Sequence, residues 1–234
     1  MLRLLTDNMV KRAIKVLREE GVKSFWFKLL SEMNCYRRTI FLERSLEVPI
    51  SEIKPPLPVA IDLLKENEVD EYVKFRVGAS PSRTADRLGA GRLCFVARHE
   101  GQIISSAWAA IHRAWIFYLV CQITLAEDEV YFYDAFTKPE FRGQYVSPAI
   151  RAEMMRHFRD AGYRRIIISV IPENKVGLQV SLKVGSRPFG IRGYIKIGPW
   201  RWDFMTNKRY DSIVMDLVGL ATIWAFACGQ LWYI

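Results

Sequence analysis

The chain has 234 residues, half of them hydrophobic and a quarter charged, which excludes a disordered protein and suits one globular domain with an appendage. Its formal charge of +9 is concentrated, with 10 basic against 5 acidic side chains in residues 1–44 and 6 against 1 in residues 185–210. Such stretches favour anionic partners, namely a nucleotide cofactor, a nucleotide-sugar, an acidic headgroup or nucleic acid, and serve equally as solvated faces. Cys35, Cys94, Cys121 and Cys228 form no CxxC pair and have no histidine at ligand spacing, so they read as reduced thiols and no metal is expected.

In chain order, Val10, Ile14, Leu17, Phe25, Leu29 and Leu30 recur at helical spacing among basic residues, which predicts a basic amphipathic helical leader over 8–46 with a break at Gly21. Lys11, Arg12, Lys15 and Arg18 interrupt any secretory leader, so the expected location is cytoplasmic, with room for contact at the inner membrane. Pro49, Pro55, Pro56 and Pro58 mark a linker, giving a leader of 1–56 and a main domain of 57–234. Val59–Leu63 reads as a strand, Glu66–Val77 as a helix and Gly89-Ala90-Gly91 as a turn. Leu93–Arg98 and Gln102–His112 read as a hairpin closed at Glu100-Gly101.

The second half is more regular. Strand Val130–Thr137 is followed by a loop and a helix Val146–Ala161, whose Val146, Ile150, Met154 and Phe158 form an apolar face. Strand Arg165–Ile171 and helix Asn174–Val184 come next, and strand-helix-strand of this length implies a parallel pair. Asp128 and Glu129 are expected in a solvated loop. The charge-free stretch Leu217 to Gly229 is too short to span a bilayer and reads as a buried element or a membrane contact.

The loop Thr137-Lys138-Pro139-Glu140-Phe141-Arg142-Gly143-Gln144-Tyr145-Val146-Ser147 lies between a strand and a helix, where free amides and the helix dipole can hold a phosphate. This segment resembles motif A of the GNAT acetyltransferase family, Arg/Gln-x-x-Gly-x-Gly/Ala. Arg142 matches the first position, Tyr145 stands at the middle glycine and Ser147 at the last small residue. Pro172 to Gly185 resembles motif B, with Asn174 opening a helix and Gly185, eleven residues later, closing it; Ser186 replaces the usual Phe.

The resemblance covers about residues 57–210. It implies an α/β (α+β) fold with a mixed, mostly antiparallel central sheet, a parallel splayed strand pair and flanking helices, preceded by the basic helical extension. It further implies an acyl-CoA-dependent N-acyltransferase, with acetyl-CoA or another acyl-CoA as cofactor and direct attack by a primary amine. The implied cofactor residues are Phe136, Thr137, Arg142, Gly143, Gln144, Tyr145, Val146 and Ser147, with Asn174 on the pantetheine arm.

As base the resemblance points to Asp134, mid-strand and expected in an apolar neighbourhood. The position of the family's acidic Tyr is held here by Ser181, with Tyr133, Tyr145 or water as other proton donors. The segment from Gly190 to Trp202 would border the acceptor, Arg192, Tyr194, Lys196 and Arg201 meeting an anionic amine. By analogy that amine is small or carrier-linked, an aminosugar or other cell-surface glycan precursor. The competing reading is a GNAT-like module without catalysis that binds an anionic membrane surface or a protein partner. A homodimer stays open, and nucleic-acid binding ranks last for want of a base-reading motif.

Overall fold

The computed structural model describes Val22, Leu29, Leu30 and residues 33–89 and 91–206. Most of the expected leader and the whole stretch Leu217 to Gly229 lie outside the described residues. In chain order the elements are β1 (Tyr36–Ser45), β2 (Ala60–Leu63), α1 (Val69–Phe75), α2 (Pro81–Leu88), β3 (Arg92–His99), β4 (Gln102–Ile111), β5 (Arg113–Ile116) and β6 (Cys121–Thr124). Then come β7 (Glu129–Thr137), α3 (Val146–Asp160), β8 (Arg165–Val170), α4 (Lys175–Lys183), β9 (Arg187–Ile197) and β10 (Trp200–Met205). Among the described residues no helix is long and apolar enough to cross a membrane.

The described residues divide into two compact units, one of residues up to 42 together with 169–206, the other of residues 43–89 and 91–168. In the larger unit the strands run β2-β3-β4-β7-β8, antiparallel except for the parallel pair β7–β8. This is the mixed, mostly antiparallel sheet that was expected. Period-two alternation sorts its side chains between two helical layers. Cys94, Val96 and Trp108 join Tyr72 and Phe75 of α1 in one core. Phe95 and Phe132 meet Phe158 of α3. The predicted face of α3, Val146, Ile150, Met154 and Phe158, is buried in full, each side chain contributing roughly 1.5–3 kcal/mol by leaving water. Glu100 (φ 50) and Gly101 (φ 78) close the β3–β4 hairpin with the two positive φ values of a type I′ turn.

Two expectations are corrected here. Residues 36–45, assigned to the helical leader, form strand β1: Leu29 and Leu30 are helical, but Asn34 takes a left-handed φ of 58, a helix-stopping conformation that asparagine tolerates. Glu129, assigned to a solvated loop, opens β7 with only 1% of its side chain exposed, its carboxylate 3.3 Å from Arg165 and accepting from the Ala126 amide at 3.0 Å.

The smaller unit holds β1, β9, β10 and α4. The β9–β10 hairpin occupies the region expected to form one late strand. Gly193 of β9 lies so close to β1 that a Cβ would stand 2.3 Å from the Arg37 carbonyl oxygen. Helix α4 is capped at both ends: Asn174 Oδ1 accepts from the Gly177 amide at 2.9 Å, while Gly185 (φ 85) and Ser186 donate to Leu182 and Ser181 in a Schellman closure.

Candidate active site

The parallel ladder of β7 and β8 begins at Glu129 opposite Arg165 and ends at Phe132 opposite Ile168, whereas β7 continues five residues further to Thr137. Along its other edge β7 stays paired with β4, with a bulge that sets Asp134 and Ala135 against Ala107. Asp134 takes a left-handed φ of 48 there, a conformation Asp reaches more readily than most residues. The bulge brings Asp134 onto the side that Tyr133 already faces, since Arg87 binds both: Nε to the Tyr133 hydroxyl at 3.4 Å and Nη1 to Asp134 Oδ2 at 2.7 Å.

Asp134 does not lie in the apolar neighbourhood expected of it. Its second oxygen accepts from Arg76 at 3.0 Å, so two guanidiniums flank one carboxylate. Each guanidinium is itself placed by aromatic faces, Arg76 4.2 Å from the centroid of Phe136 and Arg87 3.9 Å from that of Trp108. Phe136 also packs edge-on against Phe75. Burial pushes the Tyr133 hydroxyl above the ordinary 10.0, with Arg87 opposing in part. Burial likewise raises the Cys94 thiol beneath it, which is therefore inert.

A cavity of about 750 Å³ opens beside this cluster, lined in part by Arg76, Arg83, Arg87, Arg92, Tyr133 and Asp134. Four of these are arginines that the sequence reading did not single out. A signal for two of them was present: Ser80-Pro81 is an N-cap followed by an N1 proline, and Arg83 and Arg87 are then four apart on one face of α2.

At the far end of β7 the chain forms the loop into α3. Arg142 Nε donates to the Thr137 carbonyl at 3.1 Å and Gln144 Nε2 to the Glu140 carbonyl at 3.2 Å, closing the loop on itself. The Thr137 hydroxyl meets Ser105 at 2.8 Å, and the same Ser105 hydroxyl donates to the Phe136 carbonyl at 2.9 Å. Gly143 (φ 79) has open space where a Cβ would project. Tyr145 keeps the glycine-like conformation of its position, φ 58, and turns its ring outward with 63% of the residue exposed.

The 15-residue helix α3 starts with no acidic residue in its first turn and no side-chain cap. Its Val146 and Ser147 amides are first-turn donors without an intrahelical acceptor, while Pro148 has no amide proton to offer. An uncapped, acid-free helix start after an open glycine fits the phosphate group of a nucleotide.

The remaining expected residues fall in the smaller unit. Ser181 is 2% exposed, and its hydroxyl donates to the Gly177 carbonyl at 2.8 Å, so the proton an acid would give up is already committed. Arg192 and Tyr194 are 3% and 1% exposed and pack inside that unit rather than bordering an acceptor; Tyr194 bonds Asn34. Lys196 pairs through its backbone with Cys35, and Arg201 binds Asp203 at 2.7 Å. Asn174 is the α4 cap described above.

No family model matches the chain, and the search of curated proteins finds no match. Solved structures to which the chain is similar include acetyltransferases. The aminoglycoside N-acetyltransferase AAC(6')-Iy, solved with a CoA bisubstrate analogue, is 18% identical over 55% of this chain and 90% of its own, with a TM-score of 0.45. A protein assigned to the GNAT family from Novosphingobium aromaticivorans is 14% identical over 68% of this chain and 62% of its own, TM-score 0.49. The ribosomal-protein-S18-alanine N-acetyltransferase of Escherichia coli is 14% identical over 55% and 77%, TM-score 0.43.

Proposed function

We propose that this chain is an acyl-CoA-dependent N-acyltransferase that accepts a primary amine in the cavity beside Tyr133 and Asp134. The observation that carries the reading is a single run of chain: a strand that outlasts its parallel partner by five residues and leads through an open, positively charged loop into an uncapped helix start. The edge of β7 beyond Phe132 supplies backbone for an extended arm, and Arg142, Gly143 and the Val146 and Ser147 amides supply the anion site. Acyl-CoA would contribute the thioester from which the acyl group is taken.

In the transfer the amine nitrogen bonds to the acyl carbon as the carbon–sulfur bond breaks. The electron pair leaves on sulfur as a thiolate, and the proton shed by nitrogen passes to water, from which the thiolate is in turn protonated. Holding amine and thioester together removes the entropic cost of their encounter. Tyr133, kept protonated by burial, offers a hydrogen bond to the departing sulfur. It is a weaker acid than a thiol of pKa about 8.5, so it stabilises that charge without surrendering its proton. Asp134 holds Arg76 and Arg87 in place at the cavity wall.

Acetyl-CoA should raise the melting temperature of the protein, and Arg142→Glu, which sets a carboxylate against the anion site, should remove that shift while leaving the unliganded melting temperature in place. A wild-type protein indifferent to acetyl-CoA and to longer acyl-CoAs contradicts the reading.

A further inference from the structure

The cavity beside Tyr133 carries more cationic charge than its own carboxylates consume. Arg76 and Arg87 are engaged by Asp134. Arg83 on α2 and Arg92 at the start of β3 line the same space, and neither has a carboxylate within 4.0 Å among the described residues. Against these four guanidiniums the lining holds two carboxylates, Asp86 and Asp134.

The β5–β6 hairpin contributes Trp115 and Phe117 to the lining, 38% and 72% exposed. Large rings left facing an open cavity give a ligand a flat apolar surface, while guanidiniums supply forked donors suited to phosphate and carboxylate oxygens. A polycationic amine would meet net repulsion in the same space.

We infer that the acceptor is an amine that also carries an oxyanion, a phosphate or a carboxylate, bound by Arg83 and Arg92, with its ring or chain against Trp115 and Phe117. This rests on the acyltransferase reading and narrows its acceptor to an anionic class. It moves recognition of the anion from Arg192, Lys196 and Arg201, where the sequence suggested it, to α2 and β3.

The test is calorimetric titration of the CoA-saturated protein, in which no turnover occurs, with glucosamine, glucosamine 6-phosphate, glutamate and neamine. Glucosamine 6-phosphate or glutamate should bind at least about tenfold more tightly than glucosamine, the scale of one charge-assisted contact; which of the two does so separates phosphate from carboxylate. Arg83→Ala with Arg92→Ala should erase that preference, and Arg83→Lys with Arg92→Lys should keep part of it. An unchanged unliganded melting temperature certifies the fold of each variant. Equal binding of the anionic amines and glucosamine, a preference untouched by the alanine pair, or tightest binding of neamine overturns the inference. If CoA itself does not bind, the failure belongs to the acyltransferase reading; if CoA binds and no anionic preference is found, it belongs to this inference alone.

Discussion

Asp134 sits at a bend that few residues tolerate and between two arginines that few single carboxylates meet at once. A residue so engaged acts by placing its partners. Asp134→Asn, which keeps the shape and removes the charge, is therefore expected to raise the acceptor KM by about tenfold through displaced guanidiniums, with kcat changed less and its pH profile unchanged in form. Steady-state kinetics across pH decide the matter: loss of the acidic limb together with a collapse of kcat would instead make Asp134 the base.

Tyr145 offers a second residue-scale test, because a left-handed backbone costs a side-chain-bearing residue roughly 1–2 kcal/mol and glycine nothing. Its ring is exposed and gives up little packing. Against an entropic cost of about 0.5–1 kcal/mol for glycine, Tyr145→Gly should gain up to about 1 kcal/mol in urea unfolding, whereas Tyr145→Ala, which keeps the strain, should gain nothing.

At the scale of elements, the approach of β9 to β1 depends on Gly193. A methyl there would press on the Arg37 carbonyl at 2.3 Å, the Phe204 ring at 2.6 Å and the Arg38 Cα at 3.0 Å, two of them backbone atoms that cannot swing aside. Gly193→Ala should cost about 2 kcal/mol or more, seen as a lowered unfolding midpoint. Elements with strong periodicity were legible in the sequence: the four-residue repeat of α3, the β3–β4 hairpin with its Glu100-Gly101 turn, and β7 and β8 on either side of α3.

Elements without that signal were not legible. Helix α2 is eight residues of mostly polar side chains with Thr84 alone buried, so no apolar stripe announced it. The β5–β6 hairpin turns through Phe117–Val120, with Val120 at φ 49 in place of the glycine or asparagine that marks such turns. Strand β1 continued a region whose apolar residues had followed helical spacing, and Asn34 alone marked the change.

At the scale of the whole molecule, the loop into α3 could be read from local sequence because strand, loop and helix start are contiguous. The cavity could not: Arg76 and Arg87 reach Asp134 across 58 and 47 positions of chain, Arg76 from the end of the predicted helix α1 and Arg87 from α2, which local patterning missed. The same buried cluster sets the alkaline limit of stability. Cys94, Tyr72 and Tyr133 all hold their protons more tightly in the fold than their ordinary values of 9.0 and 10.0, with burial as the first cause. The folded state thus retains protons that the unfolded chain releases, and stability, intact below pH 9, falls as pH rises beyond the unfolded values. Denaturant unfolding at pH 8 and pH 11 should show a lower midpoint at pH 11; a flat profile would contradict this placement of the three groups.

The most direct test of the central claim is hydrogen–deuterium exchange of the full chain with and without CoA. Binding as proposed slows exchange at the amides of Tyr133–Thr137 and Gly143–Ser147, and Arg142→Glu removes that protection. CoA that leaves these amides unprotected, or protects only some other part of the chain, would contradict the account.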